Sequence, residues 1–157
     1  MEDKRMTEGS ELVCKAREFA QKALEGIERG NGRPFIEHPD GVARIAGEEI
    51  GLPAECLAAV YLHEAVRIGK AEIPQGMFGK DIMTMVDGLN KISTIKPKDT
   101  RLEAENYKKL IISYSKDPRV MVLKLADRLE VMRSIDIFPK ASRERKALET
   151  LMLYIPL

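Results

Sequence analysis

The stretch from Val120 to Ile135, VMVLKLADRLEVMRSI, limits what this chain can fold into more than any other part of it. Val122, Leu125, Ala126, Leu129 and Met132 fall at i, i+3, i+4, i+7 and i+10, the spacing of a helical stripe and not of a strand. That stripe is expected to face the core. Asp127 follows the apolar pair Leu125 and Ala126, so its carboxylate is expected to point toward protein at the edge of the buried face. A carboxylate there needs a cation, hydrogen-bond donors or a metal.

The rest of the chain reads as helices separated by glycine and proline. Leu12, Val13, Ala16, Phe19, Ala20, Ala23, Leu24 and Ile27 predict a first helix over about 8–28, with Thr7 or Ser10 as its cap and Gly30 near its stop. ERGNGRPFIEHPD reads as a loop carrying Arg29, Arg33 and His38. A second helix is expected over about 41–50, closed by Gly51, and a third begins after Pro53 and carries His63 and Glu64. RIGKAEIPQGMFGKD reads as a loop. Ile82, Met85, Val86, Leu89 and Ile92 mark a further helix. KISTIKPKDT reads as a connection able to close over a site, followed by a helix carrying Leu102, Tyr107, Leu110, Ile111 and Tyr114. Asp117 and Pro118 open the Val120 helix by cap and N1 chemistry, and Ala147, Leu148, Leu151 and Tyr154 lie on the last one. No strand pair is expected. The fold class is all-α, a globule of about seven helices forming one domain over 1–157, with about 1–8 flexible.

Charge and cysteine usage narrow the function classes. The 26 basic residues nearly balance 25 acidic ones, leaving a net charge of +1, so nucleic acid and anionic membrane are not expected partners. An anionic ligand would have to be held by a local cluster. Cys14 and Cys56 lack CxxC spacing, the start MEDKRMTEGS is charged, and no apolar window is long enough for a bilayer, which together predict a reduced, cytoplasmic protein.

His38, His63, Glu64 and Asp127 bring two imidazoles and two carboxylates from three segments. Mixed nitrogen and oxygen donors suit Mn, Fe, Zn or Mg. The alternative is ordinary: hydrogen-bonded core histidines and a salt-bridged Asp127. Spacing alone leaves both open.

RGNGRPFIEHP, LHE, FG followed by VDGLNKI, and DPRVMVLKLADRLEVMRS followed by ALETLMLYIPL resemble, in order and spacing, the N-terminal hydrolase domain of the RelA/SpoT family from about Ala16 onward. KLADRL is the most specific segment. The resemblance implies an HD-superfamily domain that removes the 3′-diphosphate from (p)ppGpp. It implies manganese held by His38, His63, Glu64 and Asp127, with another divalent metal, or none, if the site is silenced. It further implies nucleotide contacts from Arg29, Asn31, Asp127, Arg128 and Ser134. The expected ligand is thus a guanine nucleotide, (p)ppGpp, or a related phosphorylated small molecule. The chain's end at ETLMLYIPL, where longer members continue, leaves open a synthetase domain in a longer chain.

Departures from the family pattern bear on activity. Glu64 replaces an aspartate, Arg67 and Ile68 replace an acidic pair that positions the attacking water, and Val131 replaces an asparagine that contacts the nucleotide. An isoleucine cannot move a proton. Glu72 and Glu130 are read as solvated surface charges, and Arg67 as a cation able to pair with Glu64 or Asp127. The expectation is a phosphohydrolase fold with activity weakened or lost. The alternatives are a regulatory or nucleotide-binding domain without catalysis, or a hydrolase with another substrate.

Overall fold

A computed structural model describes residues 2–93, 109, 112 and 116–155. Helix α1 spans Glu2–Ala23. A hairpin of β1 (Glu28–Gly30) and β2 (Arg33–Pro34) follows. Next come α2 (Glu37–Arg44), running on as a wider π-turn over Ile45–Ile50, and α3 (Ala54–Arg67). Helix α4 is Lys80–Ser93, α5 is Pro118–Arg133 with a 3-10 turn at Ile135–Ile137, and α6 is Lys140–Glu149, continued by a π-turn over Thr150–Tyr154. Apart from Lys109 and Ile112, the expected helix around Leu102–Tyr114 and the connection before it, beyond Ser93, lie outside the described residues.

Helix α3 is the centre of the core. Cys56, Ala58, Ala59, Val60, Tyr61, Leu62 and Ala65 are all buried, so it is covered on nearly every side. Its alanines let α1, which contributes Ala16 and Ala20, pack closely against it, with Leu24 just beyond its end. Helix α4 covers another face with Ile82, Met85, Val86, Leu89 and Ile92, the expected set. Arg17 on α1 and Tyr61 on α3 both donate to Asp40 on α2, at 2.8 and 2.6 Å, pinning three helices two residues from His38.

Four expectations fail here. The first helix starts at Glu2 and ends at Ala23, before a turn through Gly26 at φ 78°, so it does not run over 8–28 and needs no cap at Ser10. The segment read as a plain loop contains an antiparallel hairpin, with Gly30 opposite Arg33. Asn31 and Gly32, at φ 52° and 71°, supply the two left-handed positions that a two-residue hairpin turn needs. His38 lies in the first turn of α2, a helix that begins before residue 41. The α5 stripe is also displaced: Val120, Leu123 and Ala126 are buried, whereas Leu125 and Leu129 are 36% and 39% exposed. Leu148 and Leu151 on the last helix are exposed as well.

Two other terminal signals agree with the structure. Gly51, at φ 84°, ends the second helical segment, and the Asp117 side chain accepts from the Arg119 backbone N–H to cap α5 behind Pro118 at N1.

Candidate metal centre

Three helices meet at one buried cluster. His38 from α2, Glu64 from α3 and Asp127 from α5 each offer a ligand atom, and the three atoms lie within 4.8 Å of one another. Asp127 points into protein as expected, because Ala126 beside it is turned to the core. Its Oδ1 meets His38 Nε2, and Lys124 Nζ donates to its Oδ2 at 3.0 Å. Burial pushes the Asp127 carboxyl up, but Lys124 and His38 outweigh it and hold that group well below the usual carboxylate range.

Glu64 stands between the two histidines. Its Oε1 is 3.6 Å from His38 Nε2 and 3.6 Å from His63 Nε2. Its Oε2 receives Arg67 Nη2 at 2.8 Å and Nε at 3.1 Å, one helical turn on. Ile68, partly buried, packs against the core.

His63 is set up differently from His38. Its Nδ1 lies 2.7 Å from Asn90 Oδ1, which accepts the ring proton there and leaves Nε2 with its lone pair toward Glu64. Ser93 Oγ is 3.3 Å from that Nε2. Burial lowers the His63 pKa, which keeps the ring neutral and suited to ligation. Burial also opposes a charge on His38, but the Asp127, Glu130 and Glu64 carboxylates outweigh it and raise that pKa to about 9.

Sequence reasoning missed two members of the site. Asn90 lies in the VDGLNKI segment, but nothing local marks it as a partner of His63. Glu130, read as solvated, is 6% exposed. Its Oε2 is 2.5 Å from His38 Nδ1, and the Arg29 guanidinium grips both its oxygens, with Nη2 at 2.9 Å from Oε2. Ser134 Oγ donates to Oε1 at 3.0 Å. Arg29 and Ser134, both expected to meet nucleotide, both hydrogen-bond Glu130. Asn31 sits exposed at the hairpin tip. Arg128 donates to Glu149 and lies 4.3 Å over the Tyr154 ring, among the C-terminal residues.

The donor set fits a divalent cation. One imidazole nitrogen and two carboxylate oxygens converge, with a second imidazole 3.6 Å from Glu64. Beside them is a cavity of about 10 Å³, the scale of a single ion or water, bounded by His63, Glu64, Lys124 and Asp127 together with four aliphatic side chains. A larger cleft of about 470 Å³ opens past Glu130, with Arg29, Arg33, Arg44, Arg133 and Ser134 in its wall. Three of these arginines face acids at close range: Arg29 pairs with Glu130, Arg33 with Glu37 and Arg133 with Glu49.

Residues 16–157 match the HD domain family. A guanosine-3′,5′-bis(diphosphate) 3′-pyrophosphohydrolase of Aquifex aeolicus is 36% identical over 150 residues, covering 94% of this chain and 21% of the relative. The bifunctional (p)ppGpp synthase/hydrolase SpoT of Escherichia coli is 38% identical over 141 residues, covering 88% and 20%. A GTP pyrophosphokinase of Streptomyces coelicolor is 36% identical over 148 residues, covering 92% and 17%. The chain therefore spans about a fifth of the length of these curated relatives. With its helical globule, its His38–Glu64–Asp127 cluster and these matches, the chain belongs to the HD domain family and is homologous to the RelA/SpoT-type (p)ppGpp hydrolases.

Proposed function

We propose that residues 1–157 form a single metal-binding HD domain of the (p)ppGpp 3′-pyrophosphohydrolase type, in which hydrolysis is weakened or lost. The observation that carries this reading is the ion pair between Arg67 and Glu64, with Ile68 partly buried against the core. Manganese is the proposed ion, held by His38, His63, Glu64 and Asp127, and a guanine nucleotide or related phosphorylated molecule is the proposed ligand. A bound divalent cation would polarise a phosphoryl oxygen and acidify water. The chain's own residues would have to aim that water and neutralise the leaving group. Lys124 is a cation within reach of the cluster, but the two positions after Ala65 and Val66 offer a guanidinium and an alkyl group, neither of which accepts a proton.

A second reading, a regulatory or nucleotide-binding domain without catalysis, is favoured by the same Arg67–Glu64 pair. Three carboxylates, Glu64, Asp127 and Glu130, already face three basic side chains, Arg67, Lys124 and Arg29. An incoming cation must compete with them. No described helix is long and apolar enough to cross a membrane, and with the free cysteines this supports a cytoplasmic setting.

Metal content and ppGpp turnover measured on one sample, purified without chelator, test the proposal. The expected outcome is bound metal with little or no GDP or GTP formed. Turnover at about 1 s⁻¹ or faster would overturn the loss of hydrolysis. If the protein carries no metal but Arg67→Glu does, the ion pair is what silences the site.

A further inference from the structure

We infer that Glu130 is the positioning residue for the metal-ligating nitrogen of His38, and that Arg29, Ser134 and Gly41 exist at their positions to hold Glu130 there. The inference rests on the reading of the cluster as a metal site. A histidine that ligates through one ring nitrogen needs its other N–H held by an acceptor, which fixes the tautomer and the ring plane and raises the ligand's basicity. His63 has such an acceptor in Asn90. His38 has Glu130, at 2.5 Å from Nδ1, on the side of the ring opposite Nε2 and the cluster.

Glu130 is itself immobilised. Its Oε1 receives Arg29 Nη1 and Ser134 Oγ, and its Oε2 receives Arg29 Nη2 and lies against His38 Nδ1, so both oxygens are fully engaged. The Arg29 and Glu130 side chains are 5% and 7% exposed, a buried pair whose fork geometry permits one orientation of the carboxylate. Room for the glutamate comes from α2. A Cβ on Gly41 would sit 2.7 Å from Glu130 Cγ, closer than real side chains approach, so the absence of a side chain there lets α5 place Glu130 under His38. Four residues from the hairpin, α2 and the end of α5 thus converge on one ring nitrogen. Arg29 acts here through Glu130.

Calorimetric titration of the full chain, stripped with chelator and refilled with Mn²⁺, tests this. Glu130→Gln should weaken Mn²⁺ binding about 10- to 100-fold, the usual cost of losing such a partner, while Gly41→Ala should weaken it in the same direction without removing any polar group. Both should keep the wild-type helical circular dichroism. Asp127→Asn, a direct ligand change, is the reference for loss of the site. Equal Mn²⁺ affinity in wild type and in either of the first two variants overturns the positioning role, as does a lowered thermal midpoint with unchanged affinity. If wild type binds Mn²⁺ no better than Asp127→Asn, the metal reading itself falls and takes the positioning role with it.

Discussion

The two sides of the His38 ring are built on opposite plans. On the Nδ1 side, Glu130 and Arg29 are closed in together, each nearly out of solvent and each held by the other. On the Nε2 side, Glu64 and Asp127 face the ion-sized cavity, and the cation on Glu64 is Arg67, whose side chain is 37% exposed. One side is a fixed frame, and the other carries a counter-ion that can swing out. Breaking a pair with both members buried strands a charge, and Glu64, at 2% exposed, is buried too, so of the Arg67–Glu64 pair only the arginine can return to water. The frame should therefore govern folding and the open side should govern occupancy.

The largest expected effect breaks the frame. Arg29→Ala should destabilise the protein by about 3–5 kcal/mol in chemical denaturation, because Glu130 is left buried without its partner. Arg67→Ala should cost less in the same experiment, about 1–3 kcal/mol, because Glu64 stays buried but keeps both histidine rings at 3.6 Å. Comparable losses would erase the distinction. Next, Asn90→Ala should weaken Mn²⁺ binding about 10- to 100-fold by freeing the His63 ring, read by calorimetry. Arg67→Gln should act with the opposite sign and tighten Mn²⁺ binding about tenfold, since unit charges about 4 Å apart near a surface interact by about 1–4 kcal/mol. An unchanged affinity there would mean that Arg67 does not compete for Glu64.

The smallest effect lies at the other end of α5, remote from the ring. Asp117→Ala should cost about 1 kcal/mol for the lost cap and leave Mn²⁺ affinity unchanged. Hydrogen bonds from Arg119, chiefly, hold the Asp117 carboxyl below its ordinary value. The stabilisation from that group is thus complete above the unfolded value near pH 4 and fades as pH falls through the lower folded one. Acid titration of wild type against Asp117→Ala should show the difference narrowing only below about pH 4.

Local patterns were legible in the sequence, and pairings across the chain were not. Helix α4 was read residue for residue because it has a single apolar stripe. VMVLKLADRLEVM holds two interleaved stripes, and the choice of Val120, Leu123 and Ala126 over Leu125 and Leu129 depends on where α2 and α3 place their site residues. Arg67 with Glu64 is an i,i+3 pair and was foreseen as one option. Glu130 was misread because its partners, Arg29 and His38, lie 101 and 92 residues earlier, and no periodicity links them. The hairpin was missed although Asn31-Gly32 is a strong turn signal, since its strands are only three and two residues long.

That turn sets more than a local bend. Arg29 is the extra residue of a bulge between Glu28 and Gly30, so the register that the turn fixes also fixes where its side chain is aimed. Gly30 is also confined, because a Cβ there would lie 3.0 Å from the Ile137 carbonyl oxygen. Two turn residues at the surface therefore act as an address: they determine which side chain is delivered to a carboxylate a hundred positions away, and so whether the histidine behind it is held at all.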